Sequence, residues 1–98
     1  MNWKIIKEKY PKAHKYLFDH CKVAIDIDKS RFLYDFFDEQ DIYIMMILEW
    51  DFDNKKRWDF WIDYVEKRID SGLYDTRTEA EEQAFLRAFK ILEDKLWK

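Results

Sequence analysis

The scarcity of glycine and proline constrains this chain more than any other feature of its sequence. Its 98 residues include one of each, Gly72 and Pro11. Glycine supplies the backbone conformations that long loops and phosphate-cradling turns require, so a loop-rich fold or a glycine-rich phosphate site has almost no material to be built from. We therefore expect helices and strands joined by short turns, in a single domain over residues 1–98.

Composition and cysteine count narrow the class of protein further. The chain is 48 % apolar and 40 % charged, which excludes disordered and low-complexity sequence. A single cysteine, Cys21, cannot form an intramolecular disulfide, and a small chain without disulfides is typical of a reducing cytoplasm. The longest uncharged apolar run, residues 42–48, is far shorter than the roughly 20 residues of a membrane helix. With no signal-peptide pattern at its start, we expect a cytoplasmic protein without a membrane partner.

Helical patterns lie at both ends of the chain. Apolar residues recur at helical spacing on both sides of Pro11, which either begins a second helix or kinks the first. Asp28 or Ser30 suits the N-cap of a short third helix. Near the C-terminus, Thr76 and Glu79 form a T-x-x-E capping box, and an apolar stripe of alanine, phenylalanine and leucine follows it for about five turns.

Strand patterns lie between these helices. Residues 42–50 are β-branched and aromatic, apolar on both faces and bounded by acidic residues, which predicts a central strand or one buried by a partner. Residues 57–65 alternate like a half-solvated strand but also fit a helix; the strand is favoured because a hairpin gives the preceding strand a partner. The turn at Ser71 and Gly72 leads into a short extended segment, residues 73–75. The order predicts an α+β fold with N-terminal helices, a small antiparallel sheet (a hairpin plus a short strand) and a long C-terminal helix.

Patterns for metal binding and catalysis are missing from the sequence. His14 and His20 are six residues apart, so they lie on different faces of a helix. The runs that begin at Asp26 and Asp51 open like calcium loops but lack the required glycine and the bidentate glutamate. Cys21 and the adjacent His20 would point about 100° apart on a helix, which does not suit an activated nucleophile. We expect no enzyme activity, no metal and no cofactor.

Aromatic residues are the strongest functional signal, at 19 % of the chain. So small a domain has limited interior for this many rings, and exposed Trp and Tyr concentrate at protein interfaces. Four residues on the off-core faces of the predicted hairpin are interface candidates: Tyr43, Trp50, Trp58 and Trp61. The alternative is that these rings pack on the long helix as ordinary core.

Charge offers a second functional hypothesis. Residues 1–31 carry eight Lys/Arg against four Asp/Glu, whereas residues 32–53 carry seven acids and no base. This asymmetry marks either a binding face or two segments that neutralise each other in space. A run of three cations and a stackable ring at the predicted hairpin tip would suit nucleic acid: Lys55, Lys56, Arg57 and Trp58. Against that function stand an isoelectric point near 5.4 and the acidic start of the last helix.

The stretch LYDTRTEAEE at residues 73–82, continued by AFLRAFKILE at 84–93, resembles small proteins of unknown function that are common in phage and prophage genomes. Residues 33–44 share the likeness more weakly. The resemblance implies a fold and a phage-associated setting, and it carries over no catalytic residue. The composition and patterns of the whole chain favour a cytoplasmic, non-catalytic interaction protein. We expect a homodimer that binds another protein through an aromatic surface. The alternative is a nucleic-acid-binding accessory domain.

Overall fold

Four helices and three strands make up the described part of the structure, a computed structural model that describes residues 3–20, 30–50, 52–65, 67–70 and 73–97. The elements, in chain order, are α1 (Trp3–Lys9), α2 (Pro11–His20), α3 (Ser30–Glu39), β1 (Tyr43–Trp50), β2 (Lys56–Tyr64), β3 (Lys67–Asp70) and α4 (Arg77–Leu96). None of the helices in these ranges combines the length and the apolar character needed to cross a membrane.

The strands form an antiparallel sheet in the order β1–β2–β3. In the β1–β2 hairpin, Ile44 lies opposite Ile62 and Met46 lies opposite Phe60. Since successive side chains of a strand point to opposite faces, these four residues share one face. Three of them are buried in the hydrophobic core and Met46 packs against it. The helices therefore cover this face of the sheet.

Helix α4 is the centre of the helical layer, because it contacts β1, β2 and α2. Its apolar stripe alternates small and large residues, and Ala84, Ala88, Phe85 and Phe89 are all buried. The alanines allow close approach of neighbouring elements, while Phe89 meets Phe37 of α3 edge to face, with ring centroids 5.0 Å apart. Most of the hydrophobic core lies between this helix and the hairpin.

Helix α2 starts in an unusual way. Pro11 is its first residue, and the next two backbone N–H groups, those of Lys12 and Ala13, donate to the carboxylate of Glu93 at 3.1 and 2.6 Å. The indole N–H of Trp97 donates to the same carboxylate at 3.0 Å. A buried side chain of α4 thus supplies the N-cap that the sequence before α2 lacks.

The α+β fold predicted from the sequence is confirmed, with Pro11 beginning a second helix and residues 56–64 forming a strand rather than a helix. The capping box is also present, since the Thr76 side chain accepts from the Glu79 N–H at 3.1 Å. One placement is wrong: the third strand is β3, and residues 73–75 contribute only an isolated bridge between Tyr74 and Trp58. The predictions for Cys21, the caps and loops at residues 23–28, and the turn at residues 71–72 lie outside the described residues.

Candidate interaction surface on the uncovered side of the sheet

The side of the sheet that faces away from the helices carries a patch of apolar side chains. Tyr43, Met45 and Ile47 of β1 project there together with Trp61 of β2, which lies directly opposite Met45. Tyr43 and Met45 are exposed, Ile47 and Trp61 are half-buried, and none of the four belongs to the hydrophobic core. We call these four residues the open face. It is a ready-made apolar contact surface on a rigid hairpin.

Trp61 is held in place by a charged neighbour. The Arg68 guanidinium of β3 lies 4.3 Å from the centre of the Trp61 ring and donates to the Asp63 carboxylate, at 2.8 Å from Nε and 3.4 Å from Nη2. A planar guanidinium can stack on a ring and bind a carboxylate at the same time. The guanidinium therefore packs against the indole and gives the open face a polar rim, as in many protein interfaces.

A shallow cleft of about 530 Å³ lies at one end of the open face, where β1 begins and β2 turns into β3. Tyr43, Asp63, Val65 and Arg68 are among its lining residues. The Tyr43 hydroxyl donates to the Asp41 carboxylate at 3.2 Å, and this hydrogen bond is the main reason that the pKa of Tyr43 is raised above its ordinary value. The single O–H of this phenol is therefore engaged with Asp41 at the edge of the cleft.

The far end of the hairpin is exposed in its described residues, 48–50 and 52–56. We call these residues the hairpin end; Trp50 is 61 % exposed and Phe52 is fully exposed. Lys56 places its ammonium group 5.4 Å from the centre of the Trp50 ring. Asn54 adopts a positive φ of 60°, a conformation that asparagine tolerates well and that closes the turn. Rings and cations are therefore presented together at this tip.

The structure divides the residues that the sequence proposed as one interface. Tyr43 and Trp61 lie together on the open face, whereas Trp50 and Trp58 project from the opposite side of the sheet. Trp58 is half-buried beneath Arg77, whose guanidinium lies 5.6 Å from its ring centre. None of the four rings belongs to the hydrophobic core, but Trp50 and Trp58 lie on the side of the sheet that the helices cover, so the four rings do not form one surface.

The proposed nucleic-acid residues are divided in the same way. Lys55 and Lys56 are exposed beside the turn, while Arg57 projects from the other side of the strand and forms an ion pair with Asp75. Two of the four residues are thus engaged inside the domain, Arg57 with Asp75 and Trp58 with Arg77. Lys56 lies beside the exposed ring of Trp50, and the exposed ring of Phe52 belongs to the same turn.

Part of the positive charge of the described N-terminal residues lies on the helical side, beside a groove. A groove of about 430 Å³ between α1 and α4 has Ile5, Tyr10 and Leu86 among its apolar lining, with Lys9 and Lys90 beside them. The open face lies across the sheet from this groove.

Catalytic and metal chemistry find no support in the described ranges. Of metal sites alone, the described ranges hold no group of three His, Cys, Asp or Glu side chains that could bind an ion, and enzyme activity stays untested by this finding. His14 stacks against Phe18, with ring centroids 4.5 Å apart, and burial is the main reason that its pKa is lowered. Tyr34 donates to Glu81 at 3.0 Å, and burial followed by that carboxylate raises the pKa of Tyr34. In both groups the shift favours the neutral form.

Sequence reasoning overlooked Glu93, which holds α2 against α4. The signal was present, because a carboxylate stands on the apolar stripe between Leu92 and Leu96. A charge at such a position must have buried partners.

Comparison with known proteins adds no further guide, since no protein family, curated protein or solved structure matches this chain.

Proposed function

We propose that this protein is a non-catalytic interaction module that binds another protein through the open face and that pairs with a second copy of itself. The observation that carries the proposal is an apolar patch on rigid strands, outside the core, with an aromatic ring fixed at its edge by Arg68. Fixed aromatic rings give contact area at little cost in side-chain entropy. The cytoplasm and a phage-associated setting remain part of this proposal.

The open face has the composition of an interface centre. Its members are aromatic, aliphatic and sulfur-containing, and two carboxylates lie opposite them in the hairpin, Asp63 opposite Tyr43 and Asp59 opposite Ile47. Tyr, Trp and Met are enriched in the centres of interfaces, whereas charged residues are depleted there and form the rim. The partner that fits is a protein with its own apolar patch, ringed by polar groups that can meet Asp63 and Arg68.

The test compares two substitutions of an aromatic residue by threonine. Trp61→Thr removes the ring from the open face, and Phe52→Thr removes an equally apolar ring from the hairpin end. Both positions lie outside the core, so both variants should keep the wild-type circular dichroism spectrum. We expect a binding protein, captured from host lysate and then purified, to bind the wild type and Phe52→Thr with similar affinity. Its affinity for Trp61→Thr should fall at least about tenfold, the scale of an interface hot spot.

Equal binding to Trp61→Thr and the wild type would contradict the proposal.

The second candidate function is nucleic-acid binding, favoured by the exposed Trp50 and Phe52 beside Lys55 and Lys56 at the hairpin end. Labelled single-stranded and duplex DNA and RNA at low salt test it. Binding that weakens steeply with salt and is lost in Phe52→Thr, but not in Trp61→Thr, would establish that function instead.

A further inference from the structure

Strand β1 is an edge strand with unusual length and composition. It runs for eight residues, contains no proline or lysine, and has Glu49 as its one charged side chain. Among the described residues, its ladder partner is β2 alone. Long, apolar edge strands readily pair with another strand, and proteins commonly blunt them with charges, proline or a bulge. β1 carries little such protection.

The register shows which backbone groups line this edge. Trp58 exchanges two hydrogen bonds with Tyr74, at 2.8 and 2.7 Å, on the side of β2 away from β1. Backbone groups of successive strand residues point alternately to the two sides, so Asp59 and Trp61 direct theirs toward β1. Their opposite residues, Ile47 and Met45, direct theirs toward β2. It follows that Ile44, Met46 and Leu48 direct their N–H and C=O groups outward.

We infer that β1 pairs antiparallel with β1 of a second copy, about a two-fold axis that passes beside Met46. The inference rests on the self-association in the proposed function and names the surface that performs it. In this register Met46 lies opposite Met46, and Ile44 lies opposite Leu48 of the second copy. Each outward N–H and C=O of the three residues finds a partner, and the two sheets become one continuous sheet.

The placement of side chains along β1 favours a second copy of this chain as the partner that pairs with its edge. On the helical side of the sheet, Leu48 is 42 % exposed and Trp50 is 61 % exposed. The two-fold register sets them opposite Ile44 and Ile42 of the second copy, where α3 contacts the sheet. Both of those isoleucines are core residues. The dimer therefore places the exposed side chains of each copy beside the core of the other.

Charge supports the same register. Glu49 lies opposite Tyr43 of the second copy, so the like-charged Glu49 side chains stay apart. On the open face, Met45 and Ile47 of the two copies become direct neighbours. Pairing thus joins the two open faces into one larger apolar surface, available to the protein partner.

The test uses the full chain and two edge variants. Met46→Pro removes an outward N–H but none that β2 uses, and Leu48→Lys adds a charge at the edge. Leu73→Lys is the matched control, since Leu73 is 51 % exposed and lies beside β2 on the side away from β1. Light scattering and sedimentation equilibrium report the mass over a concentration series, and circular dichroism and thermal melting report folding.

We expect a dimer for the wild type and for Leu73→Lys. Met46→Pro should raise the dimer dissociation constant at least about 30-fold, since it removes the two central hydrogen bonds of the axis. Leu48→Lys should also give a folded monomer. If Met46→Pro does not fold, Leu48→Lys alone tests whether the dimer forms through the edge of β1. Dimers that persist unchanged in Leu48→Lys would overturn the edge pairing while leaving self-association intact. A monomeric wild type would overturn both, but would leave protein binding through the open face to be decided by Trp61→Thr.

Discussion

Removing the charge of Glu93 tests how the N-terminal helices are attached to α4. The carboxylate is 6 % exposed and accepts from the N–H groups of Lys12 and Ala13 at 3.1 and 2.6 Å. A hydrogen bond to a charged group contributes about 1.5–3 kcal/mol, and the start of a helix favours a negative charge. Glu93→Gln keeps one acceptor oxygen but turns an amide N–H₂ toward a backbone donor.

We expect Glu93→Gln to lower the free energy of unfolding by about 2 kcal/mol, since it loses the charge and one of the two bonds to α2. In a domain of this size, that change lowers the melting temperature by roughly 8–16 °C. Urea titration followed by tryptophan fluorescence and circular dichroism measures the loss. Amide hydrogen exchange should show Lys12 and Ala13 losing protection first.

Asp94→Asn is the matched control, because it removes a neighbouring charge that is exposed on the same helix. Its effect should stay within about 0.5 kcal/mol, as is usual for surface substitutions. If Glu93→Gln is as stable as Asp94→Asn, the carboxylate does not cap α2, and the attachment of the N-terminal helices depends on apolar contacts alone.

Two further predictions concern a turn and a buried phenol. Val65 has a positive φ of 46° between β2 and β3, a conformation that a β-branched residue disfavours. Val65→Asn should therefore raise the free energy of unfolding, measured by urea titration, by about 1 kcal/mol. A loss of stability in this variant would refute the account. The pKa of Tyr34 is raised in the folded protein, so above pH 10 the unfolded state releases its proton first, and stability falls as the pH rises. Urea midpoints between pH 8.5 and about 11 should show this fall in the wild type and a smaller one in Tyr34→Phe, and equal slopes would refute it.

Local signals in the sequence were sufficient for several elements. Thr76 and Glu79 satisfy the first backbone donors of α4 through neighbouring atoms, so that helix start needs no distant partner. The apolar stripe of α4 and the alternation of residues 57–65 likewise show which side of each element faces the core. These features depend on residues close together in the chain, and a single sequence displays them directly.

Other features depend on contacts between distant residues. The cap of α2 comes from Glu93, some eighty residues along the chain. The third strand lies at residues 67–70 because β2 supplies a ladder for it there, and Tyr74 reaches the same strand through one bridge. No local periodicity distinguishes these segments, since a strand of four residues gains its stability from pairing.

The sequence by itself determined the α+β class, the hairpin and the excess of aromatic rings, because composition and periodicity are local properties of the chain. Only the tertiary structure decided how those rings are distributed. Because side chains alternate along a strand, Tyr43 and Trp61 lie on the open face and Trp50 lies on the other side of the sheet. The position of the helices then decides which of these rings stay exposed. The open edge of β1 is likewise a property of strand order, which is fixed by pairing between strands and not by any one segment.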